Sequence, residues 1–336
     1  MSDGGQLQPL ANPWRQALWP LGLCYGAVAA LRNWTFDCGL RRVHRLPVRV
    51  VSVGNLTVGG TGKTPTVAWL CELARQHGRR PGVLARGYRR EPGALLNDEG
   101  TMLQARLPWL LQEQDPDRVA AGARLCAQGA DFVVLDDGFQ HRRLHRDVDL
   151  LCVDALQPFG NGLCLPAGDL REFRSGLRRA DLALLTRAAG LDRAQLQARV
   201  ARIRVLARDD DLPVFACEHA PLDALARPGG AVVPLPALRG RRAVLLSAIA
   251  RPQAFRHTCE QLGLEVAREF RHRDHHRFSA AEVDAAAVAA RAADAVLLTT
   301  EKDEARLGAF AHERLVLRIG LRFCGDAPAA AQVGLL

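Results

Sequence analysis

Val48-Arg49-Val50-Val51-Ser52-Val53-Gly54-Asn55-Leu56-Thr57-Val58-Gly59-Gly60-Thr61-Gly62-Lys63-Thr64 decides the fold of this chain. The apolar run Val48–Val53 reads as a buried strand that feeds a glycine-rich turn. Behind the turn, Val67, Leu70, Cys71 and Ala74 recur at helical spacing up to Gly78, which predicts a helix over Thr66–His77. A strand–glycine loop–helix unit of this kind aims backbone N–H groups at a phosphate, and the helix N-terminus adds partial positive charge. Lys63 can then reach the outer phosphates, and the Thr64 hydroxyl can hold Mg²⁺. The chain has two lysines against 43 arginines. A lysine kept at position 63 in so arginine-rich a composition points to a slot too narrow for a guanidinium. The turn departs from the usual G-x-x-x-x-G-K-[ST] pattern, because Thr57 stands where the first glycine is expected. The strand before and the helix after weigh against a glycine turn with a chance lysine. The expected ligand is a nucleoside triphosphate with Mg²⁺.

Further strands are expected at Pro81–Ala85, Phe132–Leu135, Asp149–Val153 and Leu182–Leu185, with helices over Met102–Gln112 and Arg118–Gln128. Strands alternating with helices imply a mostly parallel sheet covered on both faces, the α/β class of the P-loop NTPases. The stretch 206–240 is rich in proline, glycine and acids and reads as a junction after a core at 36–205. Beyond it, Arg242–Ser247, a helix near Gln253–Leu262 and Ala295–Thr299 predict a smaller α/β subdomain over 241–336.

The length of 336 residues, 48% of them hydrophobic, is enough for a sizeable core. The net charge of +9 suits phosphorylated substrates and anionic membranes. Nucleic acid is disfavoured, because no aromatic-interleaved basic motif accompanies the charge. The nine cysteines form no C-x-x-C pair, which argues against a zinc site and for buried thiols in a reducing compartment. Residues 1–35 are expected to hold an amphipathic membrane-anchoring helix. The uncharged run Gln16–Leu31 carries Trp19, Leu21, Leu23 and Val28, and is shorter than the roughly 20 residues that span a bilayer. A signal peptide and a buried core helix are the competing readings. Part-way insertion, with tryptophans at headgroup level and arginines on anionic lipid, is favoured.

Asp136-Asp137, at the end of four apolar residues, reads as a strand-end carboxylate pair that organises a metal, against the bland reading of a helix cap. Arg171 and Glu172 follow a rigid Pro166-Ala167-Gly168 turn, where an arginine can neutralise phosphoryl charge. Asp98-Glu99 on a loop is by itself most simply a solvated pair. His275, in Asp274-His275-His276, is either a base near neutral pKa, part of a metal-binding stretch, or basic surface. Lys302 follows Thr300, a candidate helix cap with Asp303 as its third-position acid.

Taken together, several strings resemble the tetraacyldisaccharide 4′-kinase family of lipid A biosynthesis. They are Val53–Pro65, Arg86-Gly87-Tyr88, Asp98-Glu99, Asp136-Asp137-Gly138-Phe139-Gln140-His141, Phe159–Gly162 with Leu165–Gly168, Arg171-Glu172, Asp274-His275 and Thr300–Asp303. Thr57 is what that family carries at its position. The resemblance implies transfer of the ATP γ-phosphoryl group to the 4′-hydroxyl of a tetraacylated glucosamine disaccharide 1-phosphate. It implies a monotopic enzyme on the cytoplasmic face of the inner membrane, with no obligate protein partner. By the same resemblance, Thr57, Gly59, Gly60, Thr61, Gly62, Lys63 and Thr64 hold ATP, while Thr64, Asp136, Asp137 and Glu172 organise Mg²⁺. Asp98 paired with His275 is the base, and Lys63 and Arg171 neutralise charge. Asn97, Gly100 and Arg89 depart from the family's usual Gly-Asp-Glu-Pro and Arg-Gly-Tyr-Gly strings. One rival expectation is a non-catalytic peripheral membrane module that binds anionic lipid through its arginines; the other is a P-loop GTPase or ATPase switch acting on a protein. Against it, a guanine-reading Asn-Lys-x-Asp is missing, since Thr300-Glu301-Lys302-Asp303 lacks the asparagine.

Overall fold

The structure is a computed structural model that describes residues 13–88, 90, 93–274, 276–307 and 310–336. Of the residues singled out above, Arg89 and His275 lie outside the described residues. In chain order the elements are α1 (Pro13–Gln16), α2 (Trp19–Asp37), β1 (Arg49–Gly54), α3 (Lys63–Gln76), β2 (Pro81–Ala85), α4 (Asp98–Arg106), β3 (Leu111–Gln114), α5 (Arg118–Ala127), β4 (Phe132–Asp136), β5 (Val148–Asp154), β6 (Leu182–Thr186) and α6 (Arg193–Ala207). There follow β7 (Val214–Arg227), β8 (Val232–Val233), β9 (Arg242–Ser247), α7 (Pro252–Gln261), β10 (Glu265–Arg271), α8 (Ala280–Ala292), β11 (Val296–Thr300), α9 (Glu301–Leu307) and β12 (Arg314–Phe323). The chain forms two compact units: Met1–Gly87 with Leu110–His219 and Leu321–Leu336, and Tyr88–Trp109 with Ala220–Gly320.

In the first unit the strands lie in the order β7-β6-β5-β1-β4-β2-β3, and the resolved pairings are parallel. Strands β4, β5 and β6 are buried along their whole length, and β1 after its first residue, so they read as continuous apolar runs rather than alternating ones. Helix α3 buries Val67, Leu70, Cys71 and Ala74, the stripe its spacing predicted. Strand β1 lies between β4 and β5, so the connections diverge to either side of it. Open α/β sheets offer a ligand crevice at the carboxyl end of such a strand, where residue 55 begins the phosphate-type loop.

The second unit carries the order β10-β9-β11-β12-β7, with β8 antiparallel on β7. Its core gathers Leu245, Phe255, Cys259, Leu298 and Leu317 in one cluster and Val244, Leu246, Val283, Ala286 and Leu297 in another.

Three local expectations are corrected. The helix expected over Met102–Gln112 starts at Asp98 and stops at Arg106, because Leu107 precedes Pro108 and that position disfavours helical backbone; strand β3 follows at once. The junction stretch contains the 14-residue strand β7. Tyr88–Trp109 joins the second unit, although the sequence order places it inside the first.

Helix α2 inverts the usual surface pattern. Its buried residues are Gly22, Gly26 and Phe36, while Trp19, Leu21, Leu23, Tyr25, Val28, Leu31 and Trp34 are exposed. A side chain at Gly26 would meet the Phe173 ring at 2.5 Å, so the glycines let the helix backbone lie directly on the 164–173 loop. No described helix is long and apolar enough to cross a membrane.

Candidate active site

The loop after β1 is shaped by glycines in left-handed backbone: Gly59 has φ +103° and Gly62 φ +87°. L-residues avoid that region, so glycine at positions 59 and 62 is a backbone requirement. Nothing lies within 4 Å of where a side chain on Gly59 or Gly60 would project, which leaves open space against the loop. Helices α6 and α8 close their N-termini with capping boxes, whereas α3 has Gly62 at its cap and no side-chain cap. Its first N–H groups are thereby presented to an anion instead of a side chain.

Neighbouring chain holds this loop rigid. Asn55 Nδ2 donates to Thr61 Oγ1 at 2.8 Å, and Thr186 Oγ1 donates to the Thr61 carbonyl at 2.8 Å. The Val58 N–H donates to the Asp169 carbonyl (2.7 Å), the Arg171 N–H to the Leu56 carbonyl (2.8 Å), and Thr57 bridges to Leu170. This seam brings Arg171 to the loop's side.

Asp136 ends β4 opposite Val53 of β1 and is buried; Asp137 follows with φ +53°. The Asp137 carboxylate accepts from Arg171 Nη1 at 2.7 and 2.8 Å and lies 3.5 Å from Lys63 Nζ. Burial alone would raise its pKa; the Lys63 and Arg171 charges outweigh burial and hold it below the usual carboxylate range. The structure thus gathers Lys63, Asp137 and Arg171 at one point, beside Thr64 on the first turn of α3 and Asp136 on the adjacent strand.

The donor set fits Mg²⁺ in kind, since the Thr64 hydroxyl and the Asp136 and Asp137 carboxylates are hard oxygen ligands. Glu172 does not fit the metal role expected for it. Its side chain is 3% exposed, and its oxygens accept from Arg179 (2.8 and 2.9 Å), Asn33 (2.7 Å) and Gln140 (3.0 Å). A carboxylate so fully engaged anchors chain, here tying α2 to the 138–142 loop.

Several residues at the site escaped sequence reasoning. Arg118, at the start of α5, donates from Nη1 to His141 Nδ1 at 3.1 Å. The His141 proton therefore sits on Nε2, which is buried with no hydrogen-bond partner. Burial first, then the Arg118 charge, lowers the His141 pKa to about 4. Behind the loop, His219 packs where a side chain on Gly62 would project, and Arg187 pairs with Asp154 at the end of β5. Arg187 also reaches the Gly60 carbonyl at 3.4 Å. His141 closes the Asp136–His141 string, but no string pattern marks Arg118, Arg187 or His219, which come from separate elements of the chain.

Asp98 lies in the second unit, first in α4, where Asn97 caps the helix by accepting from the Gly100 N–H at 3.0 Å. Its carboxylate accepts from Arg306 Nε at 2.7 Å; Arg306, with its side chain 1% exposed, is also 3.6 Å from Asp303. Thr300 and Asp303 form the helix-start pair expected for them, and Lys302 lies 3.5 Å from Asp274, a protein carboxylate. Of the expected site residues, Lys63, Thr64, Asp136, Asp137 and Arg171 thus converge in the first unit. Asp98 belongs to the second.

Residues 14–334 match the family model described as tetraacyldisaccharide-1-P 4′-kinase. The tetraacyldisaccharide 4′-kinase of Anaeromyxobacter dehalogenans strain 2CP-C is 43% identical over 328 residues, covering 88% of this chain and 84% of the relative. That of Geobacter sulfurreducens is 37% identical over 302 residues, covering 85% and 82%. The crystal structure of "apo" form LpxK from Aquifex aeolicus in complex with ATP superimposes with a TM-score of 0.74 at 27% identity, covering 92% of this chain and 95% of that one. A phosphate-type cradle of this kind, carried on a chain matched almost end to end, shows that the protein belongs to the tetraacyldisaccharide 4′-kinase family.

Proposed function

We propose that this protein transfers the γ-phosphoryl group of ATP to the 4′-hydroxyl of a tetraacyl glucosamine disaccharide 1-phosphate. The observation that carries the reading is the Gly59–Thr64 cradle with Lys63 and Arg171 converging on Asp137, in a chain of this family. Asp98 accepts the proton of the 4′-hydroxyl, whose oxygen then bonds to the γ-phosphorus as the bond to the β–γ bridging oxygen breaks and ADP leaves. Such a transfer needs positioning and charge neutralisation more than covalent help. The α3 N–H groups and Lys63 hold the phosphates in line, and Arg171 offsets charge on the transferring oxygens. Thr64, Asp136 and Asp137 are the residues that would hold Mg²⁺, which would supply further neutralisation of phosphate charge. His275 is assigned beside Asp98 by family resemblance.

The substrate's acyl chains stay in a lipid leaflet, so the enzyme works at a membrane surface. The exposed apolar face of α2 suits insertion to headgroup depth at the cytoplasmic face of the inner membrane. The deciding assay combines purified protein, γ-labelled ATP, Mg²⁺ and the disaccharide 1-phosphate lipid in detergent. Label should appear in the lipid, at the 4′ position. ATP hydrolysis that ignores the lipid and responds to an added protein would instead indicate a nucleotide-driven switch.

A further inference from the structure

Among the described residues, one cluster of metal-ligating side chains stands apart from the phosphate cradle: His272, His276 and Glu282, all in the second unit. We propose that these three residues form a site for a transition-metal dication of the zinc class.

Three separate pieces of chain build the cluster. His272 leaves the end of β10, fixed by its N–H donating to the Ser247 carbonyl at 2.9 Å. His276 closes a short turn, its N–H donating to the Arg273 carbonyl at 3.0 Å. Glu282 is the third residue of α8, locked by the capping box with Ser279, whose N–H donates to Glu282 Oε2 at 2.7 Å. Glu282 Oε1 lies 3.4 Å from His272 Nδ1 and 3.0 Å from His276 Nε2, which is also 3.0 Å from Oε2, and the three donor atoms fall within 4.8 Å of one another. Tetrahedral zinc with bonds of about 2.0–2.1 Å needs donors about 3.3 Å apart. Two edges of the triangle already have that length.

The two imidazole rings stack at 4.6 Å with 11° between their planes, and Phe278 meets both edge-on at 5.3 and 5.6 Å. Buried Phe278 forms an apolar wall that limits ring movement, while the three ligating residues remain half-buried and open to an ion from solvent. Two imidazoles and one carboxylate make a borderline donor set that favours zinc, nickel or copper over the hard Mg²⁺. Three protein ligands leave a fourth position for water or an anion. The plain competing role, a carboxylate that caps α8 and accepts a hydrogen bond from His276, needs only one of the two histidines. His272 Nδ1, turned to the same Oε1 that His276 Nε2 reaches, is a second imidazole that this role leaves unused, and two imidazoles beside one carboxylate oxygen are donors a metal can take up.

The test uses full-length, untagged protein stripped with a chelator. Equilibrium dialysis against Zn²⁺, with bound metal measured by mass spectrometry, should give one site per chain. His276→Ala and Glu282→Gln should each weaken it by at least the roughly tenfold that even an outer-shell change produces. Glu282→Gln keeps an oxygen for the α8 cap, and circular dichroism checks that both variants fold. His257→Ala, on the exposed face of α7, should bind as the wild type does. Co²⁺ substitution should give the intense visible bands of a four-coordinate ion, lost in His272→Gln. Unchanged zinc affinity in both folded variants, or a weak octahedral cobalt spectrum, overturns the site.

Discussion

At the residue scale, Gly62 is the position where backbone and packing demands coincide. Its φ of +87° costs an L-residue about 1–2 kcal/mol, and an added methyl would overlap His219 Nε2. Gly62→Ala should therefore lose ATP binding, and His219→Ala in the same chain should recover part of it. Wild-type ATP affinity in Gly62→Ala alone would refute this account of the loop. Asp98 makes the complementary prediction: Asp98→Ala or Asp98→Asn should lower kcat by about 10²–10⁴-fold with the KM for ATP little changed, the expected size for a lost general base. His219 and His141 also set a pH dependence. Burial first, then the Arg187 charge, lowers the His219 pKa to about 4, while His141 sits at about 4 for the reasons given above. The fold holds both rings neutral, whereas the unfolded chain protonates them near 6.5. Stability is then full above about pH 6.5 and falls as pH drops toward 4, by up to roughly 2–3 kcal/mol from His219. Urea midpoints of the wild type measured from pH 7 to 4.5 should fall more steeply than those of His219→Gln.

At the element scale, α2 carries the argument. Replacing a helical glycine by alanine usually gains about 1 kcal/mol of helix propensity. At Gly26 the new methyl meets the Phe173 ring at 2.5 Å and Cys164 Sγ at 3.0 Å, and overpacking costs about 1–3 kcal/mol. The clash wins, so Gly26→Ala should lower the melting temperature in detergent; a rise would mean that α2 does not rest on this loop. The other face behaves independently. Val28 and Leu31 are exposed, so Val28→Glu with Leu31→Glu should leave melting unchanged and release the protein from lipid vesicles. Because Asn33 bonds Glu172 and Arg32 Nη1 donates to the Gln140 carbonyl at 3.1 Å, the helix that faces outward with apolar residues also buttresses the loop beside the phosphate cradle.

At the scale of the whole molecule, the net charge of +9 would add a long-range term to the membrane affinity proposed above. Raising salt from about 0.1 M to about 1 M shortens the screening length from about 10 to about 3 Å. Binding to anionic vesicles should weaken over that range and keep an apolar remainder; salt-independent binding would remove charge from the account. The sequence by itself determined the glycine loop, the strands before and after it, the carboxylates at the end of β4 and the family. Each of these is written in consecutive residues, through glycine's access to left-handed backbone, apolar runs of strand length and specific strings. Only the tertiary structure decided the rest. It turned Glu172 from an expected metal ligand into an anchor for Asn33, Gln140 and Arg179, drew Arg118 onto His141, and set His219 behind Gly62. It also placed Tyr88–Trp109 with Ala220–Gly320. These pairings join residues far apart in the chain, and charge neutralisation and close packing reward them only once the sheet has brought the strand ends together, so no local pattern records them.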